Sequence, residues 1–371
     1  MRILHLSSAK AFGGGERHLA DLVNSLVARG HELYAALPPH SPLRAHLSAL
    51  PAKNIFDLTL RNALDLKGAF ELSGLVRRLR PEIVHAHMAR DYPPAAFATR
   101  LNKHSRLIIT RHVLFPLNRL HAATLSHAAR VIAVSRAVAR SLSGQKIFPA
   151  EKIAVVPNGI DTSRFEQAAP EFELEELRRS LNLEPGRLLV GTVGEIKRLK
   201  GLEEFLRAAA IVVRKLPNVD FILAGSDLSP KGEHLAATRR LIDELKLGSH
   251  VHLTGWLEDV APLLSTLDLF VSASHTESFG LSMVEAMASG LTVVATETEG
   301  AREIIEAGRT GLLVPVCDEQ ALARAILALL EDAAERKRLG AAARAAARER
   351  FSLERMVAAT ERIYLEAISN G

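Results

Sequence analysis

Residues 267–297 read LDLFVSASHTESFGLSMVEAMASGLTVVATE. Two strand-like runs with apolar centres, 267–274 and 291–297, flank a stretch with helical character from Leu281 to Ser289, and Gly290 stands as its stop. Their centres, Leu269-Phe270-Val271 and Val293-Val294-Ala295, are continuously apolar rather than alternating. That predicts strands buried on both faces of a parallel sheet, with the intervening helix packed against it.

The same plan repeats outward in both directions. Toward the C-terminus, 311–316 reads as a further strand; toward the N-terminus, 187–194, 219–225 and 250–256 do. The first half offers 2–8, 31–38, 82–87, 106–112, 130–135 and 152–158, with helical spacing between them, as at Leu19, Leu22, Val23, Leu26 and Val27. A polar, proline-bearing junction, Thr162–Glu184, separates the halves. We therefore expect an α/β protein with two doubly wound parallel-sheet domains, 1–165 and 166–350. Residues 319–350 read as one Ala/Arg/Glu-rich helix. A final amphipathic helix within 351–371 is expected to cross back to the first domain. In such sheets ligands sit at the carboxyl ends of strands, and two sheets facing each other would place a ligand in the slot between them.

Composition narrows the function. The 371 residues carry 48% hydrophobic and 24% charged side chains and a single cysteine. This is globular usage, with no internal disulfide framework and no cysteine-built zinc site. No run approaches the length of a spanning helix, and a reducing, cytoplasmic setting is expected. The net charge of +5 conceals an asymmetry. Residues 1–165 hold 23 Lys and Arg against 10 Asp and Glu, a balance of +13; residues 166–371 hold 24 against 32, a balance of −8. The first half also holds 11 of the 15 histidines. Aromatic residues are only 5%, and no nucleic-acid-binding module is apparent.

Four places carry chemistry. Phe12-Gly13-Gly14-Gly15-Glu16 follows the first strand and precedes a helix, where glycines let backbone N–H groups approach an anion; the pattern is not G-x-G-x-x-G, and a plain tight turn is the alternative. Gly280 and Leu281 lie at the first turn of a helix, where a phosphate or a sugar hydroxyl could bind. Glu277 before that helix and Glu285 within it could accept hydrogen bonds from two diols. Glu285 sits among Met283, Val284, Ala286 and Met287 and should be partly buried. Lys197, Arg198 and Lys200 follow the strand 187–194, where cations suit a diphosphate. His85, His87 and His112 stand at strand ends, and His112 has the best claim to a functional role. No His-x-x-x-His helix or acidic partner supports a metal.

Together these residues resemble the family-4 retaining glycosyltransferases (glycosyl transferases group 1) of the two-Rossmann, GT-B architecture. The carrying motifs are Glu277-SFGLSMV-Glu285 followed by Ala-Met-Ala-Ser-Gly; Val156-Pro157-Asn158-Gly159-Ile160-Asp161 with Phe165 beyond; Gly14-Gly15-Glu16; Thr110-Arg111-His112; and Val193-Gly194 with Lys200-Gly201. They span essentially the whole chain, in family order.

The resemblance implies roles. Lys200 neutralises the leaving nucleoside diphosphate. Gly280 and Leu281 present N–H groups to phosphate or sugar, with Phe279 beside them. Glu277 holds donor-sugar hydroxyls and Glu285 the ribose. Gly14 and Gly15 meet the diphosphate from the other domain, His112 lies near the transferred sugar, and Asn158 shapes the crossover. His112, Glu277 and Lys200 are thus the expected catalytic residues. One departure stands out: the family's usual Arg after Val-Gly is Glu195 here, and we expect Arg198 to supply the missing guanidinium.

The expected reaction is metal-independent transfer of a hexose-type sugar from a nucleotide-diphosphate sugar, UDP-linked first, with retained configuration and no bound cofactor. In this family the N-terminal half holds the acceptor, and its charge suits an anionic glycolipid or polysaccharide such as lipopolysaccharide core, rather than nucleic acid. Residues 65–80, DLKGAFELSGLVRRLR, could lie on an anionic membrane at its cytoplasmic face, or pack as an ordinary helix on the sheet. Other reaction classes on the same architecture are a sugar-nucleotide epimerase, a phosphorylase and a non-catalytic nucleotide-sugar binder.

Overall fold

The computed structural model describes residues 1–167 and 169–369, leaving aside the side chain of Arg119. The chain divides into two units. One comprises Met1–Ile160 with Leu353–Gly371; the other is Asp161–Ser352. The division stands at Ile160/Asp161, not at 165/166, so Phe165 belongs to the second unit.

The first unit is built on a seven-stranded parallel sheet. Its strands are β1 (Arg2–Leu6), β2 (Glu32–Leu37), β3 (Ile55–Asp57), β4 (Ile83–Ala86), β5 (Arg106–Arg111), β6 (Arg130–Ala133) and β7 (Ile153–Val155), in spatial order β3-β2-β1-β4-β5-β6-β7. Chain order reverses at β1, the kind of switch point where doubly wound sheets take ligands. In the β1/β4 register His5 pairs with His85, so two histidines stand side by side in the middle of the sheet. The helix Gly14–Ala28 buries Leu19, Leu22, Val23 and Leu26 against the sheet, at the i, i+3, i+4, i+7 spacing of one helix face.

The helix Leu353–Ser369 packs into the same core through Met356, Val357, Ile363 and Tyr364. Its Glu361 accepts from Arg29 at 2.7 Å and lies 2.6 Å from His31 Nε2. Leu353 N–H donates to Ile160 O at 2.8 Å, and Gly159 N–H lies 3.1 Å from Met356 Sδ. The Val-Pro-Asn-Gly-Ile-Asp segment is thereby held at the start of this helix.

The second unit carries a six-stranded parallel sheet: β8 (Leu188–Val193), β9 (Val219–Ala224), β10 (Val251–Gly255), β11 (Leu269–Ser272), β12 (Val293–Thr296) and β13 (Gly311–Val314), in order β10-β9-β8-β11-β12-β13. The opening stretch is the segment β11, helix Leu281–Ala288, β12. Val271 and Val294 from its strands join Phe205, Phe221 and Leu269 in the core.

Residues 319–350 are two helices, not one: Glu319–Glu331 and Ala333–Arg350. Asp332 breaks them, because its carboxylate accepts from Glu335 N–H at 2.9 Å and so starts the second helix as an N-cap. The expected junction contains the helices Ser163–Glu166 and Glu171–Ser180. The helix at 65–80 runs from Leu66 to Leu79, with Leu72, Leu75 and Val76 buried while Leu66 and Phe70 are exposed.

Candidate active site

In the second unit, the chain leaves β8 through Gly194 and makes a single helical turn, Arg198–Lys200. Gly201 ends that turn at φ +63°, and a Cβ there would lie 1.9 Å from the Ala273 carbonyl oxygen. Only glycine permits this backbone to close against the end of β11. The closure aims Lys200 back across the strand ends, its stem over Gly194, where a Cβ would lie 3.5 Å from Lys200 Cε.

The Lys200 ammonium donates to Glu277 Oε2 at 2.7 Å, and Ser274 Oγ donates to the same oxygen at 3.3 Å. The two charged side chains are 24% and 16% exposed. A second tether, His275 N–H to Leu199 O at 2.9 Å, fixes the loop carrying Glu277 to the turn carrying Lys200. The pair thus joins the two loops that the sequence marks as phosphate- and sugar-binding.

Beside the pair, Gly280 caps the helix Leu281–Ala288 at φ +112°. The first-turn N–H groups of Leu281 and Ser282 have no acceptor within the helix. A small pocket at the strand ends is lined by Thr192, Gly194, Glu195, Lys200, Ser274 and Ser282. A cation, hydroxyls and a helix N-terminus therefore surround one concavity, a set of groups suited to a phosphate. Glu285 is half-buried on the same helix, as its apolar neighbours predict.

One expectation needs correction. Phe279 is 2% exposed, and its ring meets that of Phe351 edge-on at 5.6 Å. Its side chain is core, because the loop turns it inward, so only its backbone is left to meet a ligand. Glu195 pairs with Lys197, at 2.5 Å, and the side chain of Arg198 is exposed. The extra carboxylate at this loop is neutralised by its own near neighbour.

In the first unit, Gly13 N–H donates to Glu16 Oε2 at 3.0 Å, which starts the helix at Gly14. Burial pushes the Glu16 carboxyl above its ordinary range, opposed by that hydrogen bond. Gly15 faces His112: a Cβ on it would lie 3.7 Å from the imidazole Cγ. Gly15 and His112, singled out separately in the sequence, are neighbours. Asn158, 5% exposed, lies beside His18.

The histidines form one cluster. His5 Nδ1 and His87 Nε2 share a hydrogen bond of 3.1 Å. His85 Nδ1 meets Tyr364 Oη at 2.5 Å, and its Nε2 meets Thr110 Oγ1 at 2.7 Å, so His85 ties the sheet to the C-terminal helix. Ring centroids are 4.9 Å apart for His18 and His112 and 5.8 Å for His87 and His112. Burial holds all five imidazoles below their ordinary range, with His18 down to about 4 and His5 to about 3. They are neutral at pH 7. His5 and His18 were not singled out in the sequence. The signal for His18 was present: it stands four residues before Leu22, on the buried face of its helix.

Residues 173–346 match the family described as glycosyl transferases group 1, and residues 12–164 match glycosyltransferase family 4. This chain belongs to the family-4, group 1 glycosyltransferases. Among curated relatives, it is 28% identical over 346 residues to the lipopolysaccharide core biosynthesis glycosyltransferase LpsE of Rhizobium meliloti, covering 91% of this chain and 92% of that one. It is 32% identical over 201 residues to the lipopolysaccharide core biosynthesis mannosyltransferase LpsB of the same organism, where the match spans 51% of this chain and 53% of the relative. Among solved structures, a glycosyltransferase from Rickettsia africae superposes with a TM-score of 0.88 at 22% identity, covering 100% of this chain and 99% of that one. HepE of Anabaena, in complex with UDP and glucose, superposes with a TM-score of 0.87 at 23% identity over 98% of both chains. At these identities the structural likeness concerns the fold, and the fold is GT-B. Among the described residues, no helix of this glycosyltransferase is long and apolar enough to cross a membrane.

Proposed function

We propose that this glycosyltransferase moves a hexose-type sugar from a nucleoside-diphosphate sugar, UDP-linked first, to a hydroxyl of a cell-envelope glycolipid or polysaccharide of the lipopolysaccharide type. One observation carries the reading: Lys200 Nζ stands 2.7 Å from Glu277 Oε2 beside the first turn of the helix Leu281–Ala288. The names of LpsE and LpsB support the acceptor class, and the UDP and glucose bound to HepE support the donor class.

The chemistry follows from charge. Cleaving the sugar–phosphate bond builds negative charge on the leaving diphosphate. Lys200 and the first-turn N–H groups of Leu281 and Ser282 stabilise it without having to reorganise. Without donor, Glu277 keeps Lys200 neutralised and aimed. When a diphosphate takes the ammonium, the carboxylate is released to accept from sugar hydroxyls, and Glu285 accepts from the ribose. Arg198 adds a second cation from the exposed side of the turn. His112, neutral and next to Gly15, receives the transferred sugar's polar groups. The configuration is retained by same-face attack, the departing phosphate accepting the acceptor's proton, with no metal in the step.

The basic first unit takes an anionic acceptor. Leu64, Leu66 and Phe70 are exposed around Lys67, and we assign this surface to peripheral contact with an anionic membrane at its cytoplasmic face. Flotation with anionic liposomes tests the contact; no binding at low salt removes it.

The experiment for the function is a thermal-shift screen of nucleoside diphosphates and then their sugars, since specific binding raises stability by mass action. Product analysis with labelled donor follows. Transfer to a glycolipid acceptor supports the proposal, whereas epimerised donor, phosphorolysis or binding without turnover contradicts it.

A further inference from the structure

The histidine cluster of the first unit has more ligating capacity than a sugar site uses. His18 is 2% and His87 4% exposed, yet among the described residues Nδ1 of His87 has no hydrogen-bond partner, and neither nitrogen of His18 makes a close hydrogen bond, the Asn158 amide being the polar group beside it. His112 Nε2 is likewise buried and unpartnered. Orphan buried nitrogens are costly. One nitrogen from each of His18, His87 and His112 can be chosen so that all three lie within 4.8 Å of one another.

The neighbouring ring explains how His87 could serve. If His87 Nε2–H donates to His5 Nδ1, across their 3.1 Å contact, the lone pair of His87 is left on Nδ1, the atom without a partner. A hydrogen bond behind a ligating imidazole sets its tautomer and orientation in this way. We propose that His18, His87 and His112 form a binding site for a divalent transition-metal ion of the Zn2+ type. Tetrahedral Zn2+ with nitrogens at about 2.0 Å needs them about 3.3 Å apart, a small side-chain closure from the present spacing. Neutral imidazoles select Zn2+, Ni2+ or Cu2+ over Mg2+ or Ca2+. His112 is half-buried rather than buried, so the ion would reach the site from its side, and water would complete the coordination.

The site shares His112 with the proposed transfer chemistry, which itself uses no metal. Because that reading gives His112 to the sugar, a bound ion should inhibit transfer. The binding itself does not rest on that reading.

Full-length protein stripped with chelator is titrated with Zn2+ by calorimetry and with Co2+ by visible absorption. The expected result is one equivalent bound with a Kd of micromolar or tighter, weakened at least 10-fold in His18→Asn and in His112→Gln. The far-UV circular dichroism of both variants should match the wild type. X-ray absorption on the Zn2+-loaded wild type should show a nitrogen shell with no sulfur. That measurement excludes the sulfur-bearing cluster even if a variant misfolds, and undiminished binding in a folded His18→Asn would place the ion at His5, His85 and His87 and overturn the proposal. Glu204, His275 and Cys317 form another possible cluster, in the second unit. Binding lost in Cys317→Ser, a sulfur ligand, or no saturable binding would each overturn the proposal.

Discussion

Lys200 and Glu277, 77 residues apart in the chain, form a 2.7 Å ion pair across the loops that follow β8 and β11. The pair is formed without donor, so the cation is already in place and its counter-charge already chosen. Its consequence is reciprocal: whatever takes the ammonium must also release the carboxylate. Lys200→Ala and Glu277→Gln should each lower kcat/KM for transfer by about 100- to 1000-fold, as removal of a preplaced charge-stabilising group does. The double variant should cost clearly less than the product of the singles, because the residues act as one unit. Steady-state kinetics of the four proteins checks this; fully multiplicative losses would contradict it.

Gly201→Ala should be more damaging than Gly280→Ala. Both positions have positive φ, but the new Cβ meets backbone at Gly201, the Ala273 carbonyl at 1.9 Å. At Gly280 the nearest atom is the movable end of Met283, at 2.2 Å. Each substitution carries about 1–2 kcal/mol of left-handed backbone strain, and Gly201→Ala adds displacement of Lys200. The expected outcome is a lower Tm for both, with the larger loss of diphosphate binding in Gly201→Ala. Equal binding losses would be evidence against the steric account.

The C-terminal helix should be held to the first unit partly through one hydroxyl. Tyr364→Phe removes the group that meets His85 Nδ1 and leaves a fully buried nitrogen unpaired, at a cost of about 1–3 kcal/mol. Limited proteolysis should then cut nearer the C-terminus at lower protease concentration. An unchanged Tm and cleavage pattern would show that water replaces the hydroxyl.

Asp91 gives a pH signature. Burial pushes its carboxyl up to about 7, although Ser8 N–H donates to Oδ2 at 2.9 Å. The unfolded chain loses this proton near 4 and the folded chain only near 7. Stability from the protonated group is therefore complete below about 4 and drains as pH rises through 7, at up to about 1.4 kcal/mol per pH unit. Asp91→Asn keeps an acceptor for Ser8 without the charge. Its Tm relative to wild type should rise between pH 6 and pH 8.5, and a constant difference would mean that the carboxyl titrates normally.

The architecture was legible because strands buried on both faces announce themselves as unbroken apolar runs. Ile55–Asp57 escaped because three residues, two of them half-buried and one exposed, make no such run; it is a strand by its register to Ala35–Leu37. The break at Asp332 escaped because alanine-rich composition continues across it, while the cap depends on one carboxylate. Within the site, glycines and charged residues marked the right loops. Side-chain direction was not legible: Phe279 lies among site residues but points into the core, and Glu195, beside the expected phosphate loop, is taken up by Lys197. The histidine cluster was half visible, since His85, His87 and His112 end strands, whereas His5 joins them through the β1/β4 register and His18 through helix packing.

The central claim, that Lys200 beside Glu277 is the cation for a nucleoside diphosphate, is tested most directly by calorimetric binding of UDP and UMP to wild type and Lys200→Ala. The account predicts that wild type binds UDP at least 10-fold more tightly than UMP and that Lys200→Ala removes most of this preference. UDP binding to Lys200→Ala that matches wild type would contradict it.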